Sequence, residues 1–211
     1  WCSHCGTSLS EHELADSYQD LEHMAVFFKL PIKNTNNSII VWTTTPWTLS
    51  SNVAIAVNPE LTYAVCKVKS TDRNLIICKD AIKALKDDLI EVVKEVKGSE
   101  LVGLEYETCF PELEEQNFVH KIVAWDAVDA TEGSGAVHIA PGCGAEDFEL
   151  GEKLGLPKVC PVDESGMFYS NFGFLAGKDA SEVADLVFDE LKNREKLYYT
   201  HKYKHRYPIC W

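Results

Sequence analysis

Hydroxyl groups are concentrated at one point of the sequence, where Thr43, Thr44 and Thr45 follow the β-branched apolar run 39–41. Such a run favours a buried strand, and neighbouring side chains of a strand point to opposite faces, so at least one hydroxyl must face inward. Pro46 lacks a backbone donor and favours an extended residue before it, which predicts that the strand ends there in a turn. The result is a cluster of small polar groups at a strand mouth, although a strand that is simply rich in threonine explains the same residues.

A second candidate stretch is rich in glycine and runs over residues 133–148. His138 lies on its predicted strand, and Asp147 follows nine positions later at the start of a predicted helix. A packed core histidine and a carboxylate that complements the helix dipole are the plain interpretations of these two residues. A dinucleotide site is excluded, because His138 stands where the third glycine of that motif belongs and no βαβ unit surrounds it. The glycines instead predict a close backbone approach to a ligand or a bend at a barrel corner.

Three motifs in these stretches match a known pattern. They are Thr43-Thr44-Thr45-Pro46-Trp47-Thr48-Leu49 followed by Asn52, Gly-x-Gly-Ala-Val-His-x-Ala-Pro at 133–141, and Glu146-Asp147-Phe148. Together they closely resemble the editing domain that is inserted into isoleucyl-tRNA synthetases. The related domains of the valyl and leucyl enzymes usually have Arg-Pro after the threonine pair, whereas this chain has Thr45-Pro46-Trp47. Ser50 and Cys143 depart from the pattern, which commonly has a proline and, in several relatives, a histidine there.

The resemblance implies a role for each matching residue. Asp147 would hold the ammonium group of a misattached amino acid, a pairing that suits a carboxylate. His138 would form a wall of the side-chain pocket and exclude larger groups. Thr43, Thr44 and Thr45 would line the ester and the terminal ribose and orient a water. These three threonines and Asp147 would be the catalytic residues. The two tryptophans would shape the pocket or stack on the terminal adenine. The residues expected to contact substrate are Trp42, Trp47, Asn52, Gly135, Ala136, Val137 and His138.

The resemblance further implies an aminoacyl-tRNA deacylase that hydrolyses valyl-tRNA(Ile), with valyl-adenylate as a second substrate left open. A site that accepts isoleucine cannot reject valine strongly, because one methylene is worth only about 1–3 kcal/mol, and this amino-acid pair is itself the standard example of that limit. The signatures His-x-Gly-His and Lys-Met-Ser-Lys-Ser of the ATP-dependent ligase site do not occur in the sequence. We therefore expect no use of ATP by this chain. The resemblance implies that editing uses a positioned water and no cofactor, with the tRNA(Ile) acceptor end and the remainder of the parent synthetase as partners.

Three other functions remain open at this stage. One is the editing domain of a valyl- or leucyl-type synthetase. Another is a non-catalytic module that docks tRNA, to which the formal charge of −13 is an objection because phosphate binding depends on Lys and Arg clusters. The third is a small structural zinc domain, because Cys2 and Cys5 have metal-ligand spacing and Cys210 resembles part of a zinc knuckle of the parent enzyme.

Length and composition favour one module of a larger enzyme. A chain of 211 residues can bury a full hydrophobic core but is too short for a complete class I synthetase. We expect a connector from the parent enzyme at 1–16, the editing domain at 17–197 and a return strand at 198–211. No apolar run approaches the roughly 20 residues that span a bilayer. The remaining cysteines lack paired spacing, which is typical of free thiols in a reducing compartment, so we expect a cytoplasmic protein without membrane contact.

Hydrophobic patterning predicts an α+β, mainly β fold, with a closed or nearly closed β-barrel and a few peripheral helices. Strands are expected near 25–30, 38–41, 54–57, 61–69, 74–78, 89–96, 120–125 and 136–140. Helices are expected at 80–88 with Asp80 as N-cap, at 145–154 with Phe148, Leu150 and Leu154 inward, and at 179–191. The tail 196–206 alternates basic and aromatic residues, which favours a solvated edge strand.

Overall fold

The computed structural model describes residues 17–69, 71–87, 89–113, 117–131 and 133–208. Nine strands form a single sheet: β1 (Tyr18–Pro31), β2 (Asn37–Thr43), β3 (Ala54–Val57), β4 (Thr62–Val68), β5 (Asn74–Cys78), β6 (Ile90–Lys97), β7 (Lys121–Ala124), β8 (Ala136–Ile139) and β9 (Leu197–Pro208). The helices are α1 (Gly98–Leu101), α2 (Ala145–Leu154) and α3 (Ala184–Asn193), with 3₁₀ segments at Pro46–Ser51, Lys79–Ala84 and Gly173–Leu175. In the described residues, no helix is long and apolar enough to cross a membrane.

The sheet runs in the order β6-β4-β5-β2-β8-β3-β7, and the β1–β9 ribbon is attached to β2 through β1. It curls into a half-barrel, and its end strands β6 and β7 do not pair with each other in the described residues. The predicted mainly β architecture with few helices is confirmed, whereas full closure of the barrel is not observed. Five of the eight strand pairs in the described residues are antiparallel; the parallel pairs are β2 with β5, β2 with β8, and β3 with β7.

Alternation along β2 divides the core between the two faces of the sheet. Ile39 and Val41 belong to the larger apolar cluster, which also contains Val187 and Leu191 of α3. Ile40 belongs to a smaller cluster on the other face, against which Trp42 packs. Because side chains alternate along a strand, Thr43 continues the face of Val41. The end of β2 therefore directs its hydroxyl and its indole to opposite sides of the sheet.

Two predicted helices differ from the observed elements. The α-helix predicted at 80–88 with Asp80 as its N-cap is not observed over the described residues 80–87; a 3₁₀ segment, Lys79–Ala84, begins directly after β5 without a side-chain cap. The helix predicted from 179 begins at Ala184, because the Asp179 carboxylate accepts hydrogen bonds from the Ser181 amide and hydroxyl and so stabilises a turn.

α2 has the predicted bounds but a different buried face. Phe148 and Leu154 are 44% and 46% exposed, and the inward positions are Leu150 and Gly151. A Cβ at Gly151 would lie 2.9 Å from the Pro141 side chain, so the helix packs its glycine against the loop that follows β8. The prediction that Phe148 and Leu154 lie inward is therefore wrong.

The basic and aromatic tail is the edge strand that the sequence predicts. β9 pairs with β1 along a register from Tyr18↔Pro208 to Phe28↔Leu197, and β1 is its one strand neighbour among the described residues. β9 begins at Leu197 and so crosses the boundary predicted between residues 197 and 198. The hairpin of β4 and β5 and the strand β6 are also observed as predicted.

Candidate functional site

Two parallel strands bring the threonine stretch and the glycine-rich stretch to the same edge of the sheet. Trp42 of β2 pairs with Val137 of β8 in parallel register, so Thr43 and His138 follow at neighbouring carboxyl ends. The chain leaves β2 through the 3₁₀ segment Pro46–Ser51 and leaves β8 through the turn that leads into α2. Ligand sites commonly form where the carboxyl ends of parallel strands meet and their loops diverge.

The threonine hydroxyls form a hydrogen-bonded cluster at this edge. Thr43 Oγ1 accepts the Thr45 amide at 3.1 Å and lies 3.2 Å from Thr45 Oγ1, which in turn lies 3.4 Å from Thr48 Oγ1. Thr43 and Thr48 are buried, whereas Thr44 and Thr45 are half-buried. Pro46 begins the 3₁₀ segment, which folds Thr48 back onto the strand end, where its hydroxyl donates to the Thr45 carbonyl at 2.7 Å.

His138 connects this cluster to the interior. Its Nε2 lies 2.8 Å from Thr48 Oγ1, and its Nδ1 lies 3.3 Å from Asn52 Nδ2. Asn52 Nδ2 also donates to the Ala54 carbonyl at 2.9 Å, and Asn52 Oδ1 accepts the Tyr106 hydroxyl at 2.7 Å. The side chains of Tyr106, Asn52, His138 and Thr48 therefore form one continuous chain of hydrogen bonds.

The partners determine the protonation state of the imidazole. A carbonyl oxygen only accepts, so the Ala54 contact makes the Asn52 amide nitrogen face Ala54 and His138. His138 Nδ1 must then accept, and Nε2 carries the proton that it donates to Thr48. An imidazolium would direct a second N–H at the amide of Asn52. Burial alone lowers the pKa of His138 from 6.5 to about 4, so the ring is neutral at physiological pH.

Asp147 lies in the first turn of α2, close in sequence to the end of β8. Its Oδ2 accepts a hydrogen bond from the backbone amide of Ala140 at 2.8 Å. This bond holds the half-buried carboxylate next to the end of β8. Burial raises the pKa of Asp147, and the neighbouring Glu146 adds to the rise, while the Ala140 hydrogen bond opposes it. A partly desolvated carboxylate is a strong partner for a cation, because pairing with a positive charge offsets its loss of hydration.

The two loops are also joined directly. Ser51 Oγ lies 3.1 Å from Cys143 Sγ, so the last residue of the 3₁₀ segment contacts the turn before α2. Burial raises the pKa of the Cys143 thiol to about 11, which keeps it protonated and weakly nucleophilic. Cys143, one of the two departures from the expected pattern, thus makes a structural contact here.

The two tryptophans occupy different places. Trp42 lies on the face opposite Thr43, where its ring packs edge-on against Tyr203 at a centroid distance of 5.1 Å. Trp47 lies within the 3₁₀ segment and contacts Phe168, with ring centroids 6.5 Å apart. The structure therefore brings Trp47, but not Trp42, to the loop that carries Thr48.

The glycines before β8 are required by protein packing. Gly133 and Gly135 have φ values of +65° and +70°; a Cβ at the first would lie 2.7 Å from the Trp42 ring, and one at the second would overlap Cys78 Cβ. The Gly135 carbonyl accepts the Tyr63 hydroxyl at 2.6 Å, Ala136 is buried, and Val137 is half-buried. Close packing onto side chains of the same chain is sufficient to require these glycines, and the approach of a ligand to this turn stays a prediction.

The candidate zinc ligands Cys2, Cys5 and Cys210 lie outside the described residues. Within the described ranges, no group of three or more His, Cys, Asp or Glu residues has the arrangement of a metal site. The sequence analysis did not single out Tyr106, which comes from a stretch with no periodic pattern. It also missed His120, whose Nε2 lies 3.1 Å from the Asn52 carbonyl oxygen. Only the folded chain reveals these two contacts with Asn52.

Comparison with known proteins places these features in a family context. Isoleucine–tRNA ligases of Sulfolobus acidocaldarius, Clostridium novyi and Methanothermobacter marburgensis are 38%, 38% and 37% identical to this chain. Each alignment covers 100% of this chain but only 20% or 21% of the relative, so the chain spans about a fifth of their length. No protein-family model matches the chain.

A solved structure of a synthetase domain has a similar fold. The crystal structure of GlLeuRS-CP1, a leucyl-tRNA synthetase domain, matches 86% of this chain and 99% of its own with a TM-score of 0.65. Its sequence identity is 13%, so this likeness concerns the fold alone. The chain is therefore homologous over its whole length to one segment of the isoleucine–tRNA ligases, and it has the fold of a synthetase CP1 editing domain.

Proposed function

We propose that this chain is an aminoacyl-tRNA deacylase that hydrolyses valyl-tRNA(Ile) by means of a positioned water. The observation that carries the proposal is the meeting, at one sheet edge, of a threonine hydroxyl cluster, a neutral buried histidine and a partly desolvated carboxylate. This set can hold an uncharged ester, a small apolar side chain and an ammonium group. Those are the three parts of an aminoacyl ester.

Hydrolysis by this set needs no protein nucleophile. An aminoacyl ester is already labile, and hydroxyl groups that are fixed before the substrate binds can orient a water without reorganising during the reaction. Thr43 and Thr45 are the cluster members whose hydroxyls are not joined to His138, so we assign the water to them. The Cys143 thiol is a poor nucleophile, because burial raises its pKa to about 11.

Asp147 is assigned to the ammonium group of the substrate. The carboxylate is held by Ala140, and burial, together with Glu146, raises its pKa. A substrate ammonium would reverse that shift, since an opposite charge within a few ångströms favours the ionised carboxylate. The ion pair would thus strengthen binding of the aminoacyl group, because it offsets the hydration that the Asp147 carboxylate loses through burial.

His138 is assigned to side-chain selection rather than to proton transfer. Both ring nitrogens are engaged by Thr48 and Asn52, and burial lowers the pKa of the ring to about 4. A general base works best with a pKa near the operating pH and with a nitrogen free to accept the proton. A rigid neutral ring instead makes a wall that can admit a valyl side chain and exclude an isoleucyl one.

The remainder of a synthetase is assigned most of the tRNA affinity. The formal charge of −13 opposes strong binding of a polyanion to this chain by itself. We assign only the acceptor end of tRNA(Ile) to the site described above. Valyl-adenylate presents the same ammonium and acyl groups, so the same pocket is proposed to accept it as well.

The test is deacylation of valyl-tRNA(Ile) by the 211-residue chain, with and without a metal chelator. The proposal predicts release of valine that the chelator does not affect, with much slower release of isoleucine from isoleucyl-tRNA(Ile). A chain that binds the tRNA without releasing valine is a docking module. Release that stops with chelator supports a zinc-dependent function instead.

A further inference from the structure

The buried histidine His120 faces two carbonyl oxygens. It is 4% exposed, and the Tyr106 ring packs edge-on against it at a centroid distance of 5.5 Å. Its Nε2 lies 3.1 Å from the Asn52 carbonyl oxygen, and its Nδ1 lies 3.1 Å from the Phe118 carbonyl oxygen. A carbonyl oxygen only accepts, and a neutral imidazole has only one N–H. The contact with Asn52 is the more deeply buried of the two, so the proton of the neutral ring belongs on Nε2.

A second proton on this ring would find an acceptor already in place. The Phe118 carbonyl faces Nδ1, and the Phe118 ring stacks on the imidazole with centroids 4.5 Å apart, an arrangement that favours a cation. Burial lowers the pKa of His120, the two carbonyl contacts oppose that effect, and the charges of Lys33 and Lys196 add to it. Lys33 is itself paired with Glu105 at 3.5 Å. The ring is therefore neutral at neutral pH, and on acidification it can take up its second proton without losing a contact.

A chain of hydrogen bonds runs from His120 through two peptide groups to the candidate site. Its three bonds join His120 Nε2 to Asn52 O at 3.1 Å, Val53 N to Ile139 O at 2.9 Å, and Ala140 N to Asp147 Oδ2 at 2.8 Å. The pairs 52–53 and 139–140 each share one peptide group. A carbonyl that accepts a hydrogen bond makes the N–H of the same peptide group a stronger donor, so the bonds of such a chain strengthen one another.

We propose that His120 is a positioning residue that, acting through these two peptide groups, strengthens the hydrogen bond with which Ala140 holds the ionised carboxylate of Asp147. A charged donor forms a stronger hydrogen bond than a neutral one, so the effect grows when His120 gains its second proton. It opposes burial, which disfavours the charged form of Asp147. The consequence for substrate binding rests on the proposed function, in which this carboxylate pairs with an ammonium group. The hydrogen-bond chain itself is a property of the folded protein alone.

The chain is tested first in the wild type, by NMR of the labelled 211-residue protein from neutral pH down through the pKa of His120. We expect the amide protons of Val53 and Ala140 to move downfield together as His120 is protonated. The Trp125 amide donates to the Val57 carbonyl outside this chain, so it is the control and should not follow them. Amide shifts that do not follow the titration of His120, or that Trp125 shares equally, overturn the proposal. A ring that stays neutral until the protein unfolds refutes the part on the second proton.

A matched pair of variants, His120→Gln and His120→Asn, separates the donor from the rest of the side chain. The amide nitrogen of glutamine reaches the place of Nε2 and keeps a donor to Asn52, whereas the shorter asparagine reaches only the place of Nδ1. At neutral pH we expect upfield shifts of the Val53 and Ala140 amide protons in His120→Asn and near wild-type shifts in His120→Gln. Equal changes in the two variants overturn the proposal. Should either variant fail to fold, the wild-type titration decides.

Deacylation of valyl-tRNA(Ile) tests the consequence for the substrate. We expect KM to rise about twofold in His120→Asn with kcat unchanged, and to return to the wild-type value in His120→Gln, because the change is a small fraction of one hydrogen bond to a charged group. Changed amide shifts with an unchanged KM refute the part on substrate binding. A wild-type chain without deacylase activity refutes the proposed function, while the amide shifts still decide the role of His120.

Discussion

His138 is a buried histidine whose surroundings fix its charge and its hydrogen bonds. It is 7% exposed, its two nitrogens are engaged by Asn52 and Thr48, and burial lowers its pKa to about 4. Its motif drew attention to it in the sequence. The residue that orients it, Asn52, could not be recognised there, because it is 86 positions away and no local pattern links the two residues. The substrate contact that the resemblance implies for Asn52 stays a prediction.

The buried neutral ring makes stability depend on pH. The unfolded chain binds a proton at His138 below a pKa of 6.5, whereas the folded chain does so only below about 4, so stability falls as the pH drops from 6.5 to 4. The full loss from this residue is on the order of 3 kcal/mol. Urea denaturation at several pH values should show this slope in the wild type and a shallower one in His138→Gln. Burial also lowers the pKa of His120, so part of the slope will remain. Equal slopes in the two proteins would contradict the buried neutral state.

Asp147 should matter for turnover far more than for folding. Asp147→Asn keeps an oxygen that can accept the Ala140 amide but removes the charge that would pair with the ammonium group. Loss of a hydrogen bond to a charged group of about 1.5–3 kcal/mol predicts deacylation of valyl-tRNA(Ile) that is slower by about 10- to 100-fold. The free energy of unfolding, measured by urea denaturation, should differ from that of the wild type by no more than about 0.5 kcal/mol, as is usual for surface substitutions.

The control for this variant is Glu146→Gln, which removes a charge from the exposed neighbouring residue. We expect near wild-type turnover for it. If both variants lose activity equally, the general negative charge at the start of α2 is responsible, and the pairing assigned to Asp147 is wrong.

At the scale of elements, the hydroxyl cluster forms because the 3₁₀ segment Pro46–Ser51 folds back onto the end of β2 and brings Thr48 next to Thr45. Pro46 and the apolar run of β2 indicated that junction from the sequence, since proline ends strands and β-branched residues favour them. The bounds of α2 were also predicted. The start of α3 was not, because the Asp179 carboxylate bonds to Ser181 and stabilises a turn where the apolar periodicity alone favours helix.

The hydroxyls of the cluster should be partly interchangeable. Thr43 and Thr45 lie 3.2 Å apart at their hydroxyl oxygens, so a water that loses one donor can still be held by its neighbour. Replacing residues 43–45 together by alanine should slow deacylation by much more than the product of the single effects. Ser50→Ala removes a hydroxyl that bonds within the same 3₁₀ segment, to the Trp47 carbonyl, and should retain most activity. Normal hydrolysis by the triple variant would refute the role of the cluster.

The turn into β8 should tolerate no side chain at Gly135. A Cβ there would overlap Cys78 Cβ, in addition to the strain of φ +70°. Gly103→Ala is the matched control, because Gly103 has φ +87° but nothing within 4 Å of the place that a Cβ would occupy. Denaturation should show a loss of about 1–2 kcal/mol for Gly103→Ala from backbone strain and at least about 2 kcal/mol more for Gly135→Ala from overpacking. Equal losses would mean that the contact with Cys78 does not restrict this position.

At the scale of the whole molecule, one curled sheet places two distant motifs beside each other. The short apolar segments and turn residues predicted a mainly β fold, and nearly all strands were found near their expected positions. The parallel pairing of β2 with β8, through Trp42 and Val137, was not predicted, because pairing between such distant segments leaves no local pattern in a single sequence. That pairing is what brings Thr43 and His138 to the same edge.

The net charge of the chain bears on how strongly it can bind tRNA by itself. A formal charge of −13 opposes strong binding of a large polyanion by this chain alone, which agrees with the proposal that only the esterified end of the tRNA enters the site. The chain spans only 20% or 21% of the length of these relatives, and the proposed function assigns binding of the tRNA body to the remaining part of such an enzyme. The chemical selectivity is assigned to this domain alone.

The measurement that tests the central claim most directly is deacylation by His138→Ala of both valyl- and isoleucyl-tRNA(Ile). If the neutral ring is a wall, the variant keeps substantial activity on the valyl ester and gains activity on the isoleucyl ester, because the space for one more methylene has been opened. If His138 instead acts as a general base, hydrolysis of the valyl ester falls by about 10²–10⁴-fold and no isoleucyl activity is gained. The first result is the one we predict, and the second would contradict the selective role of His138.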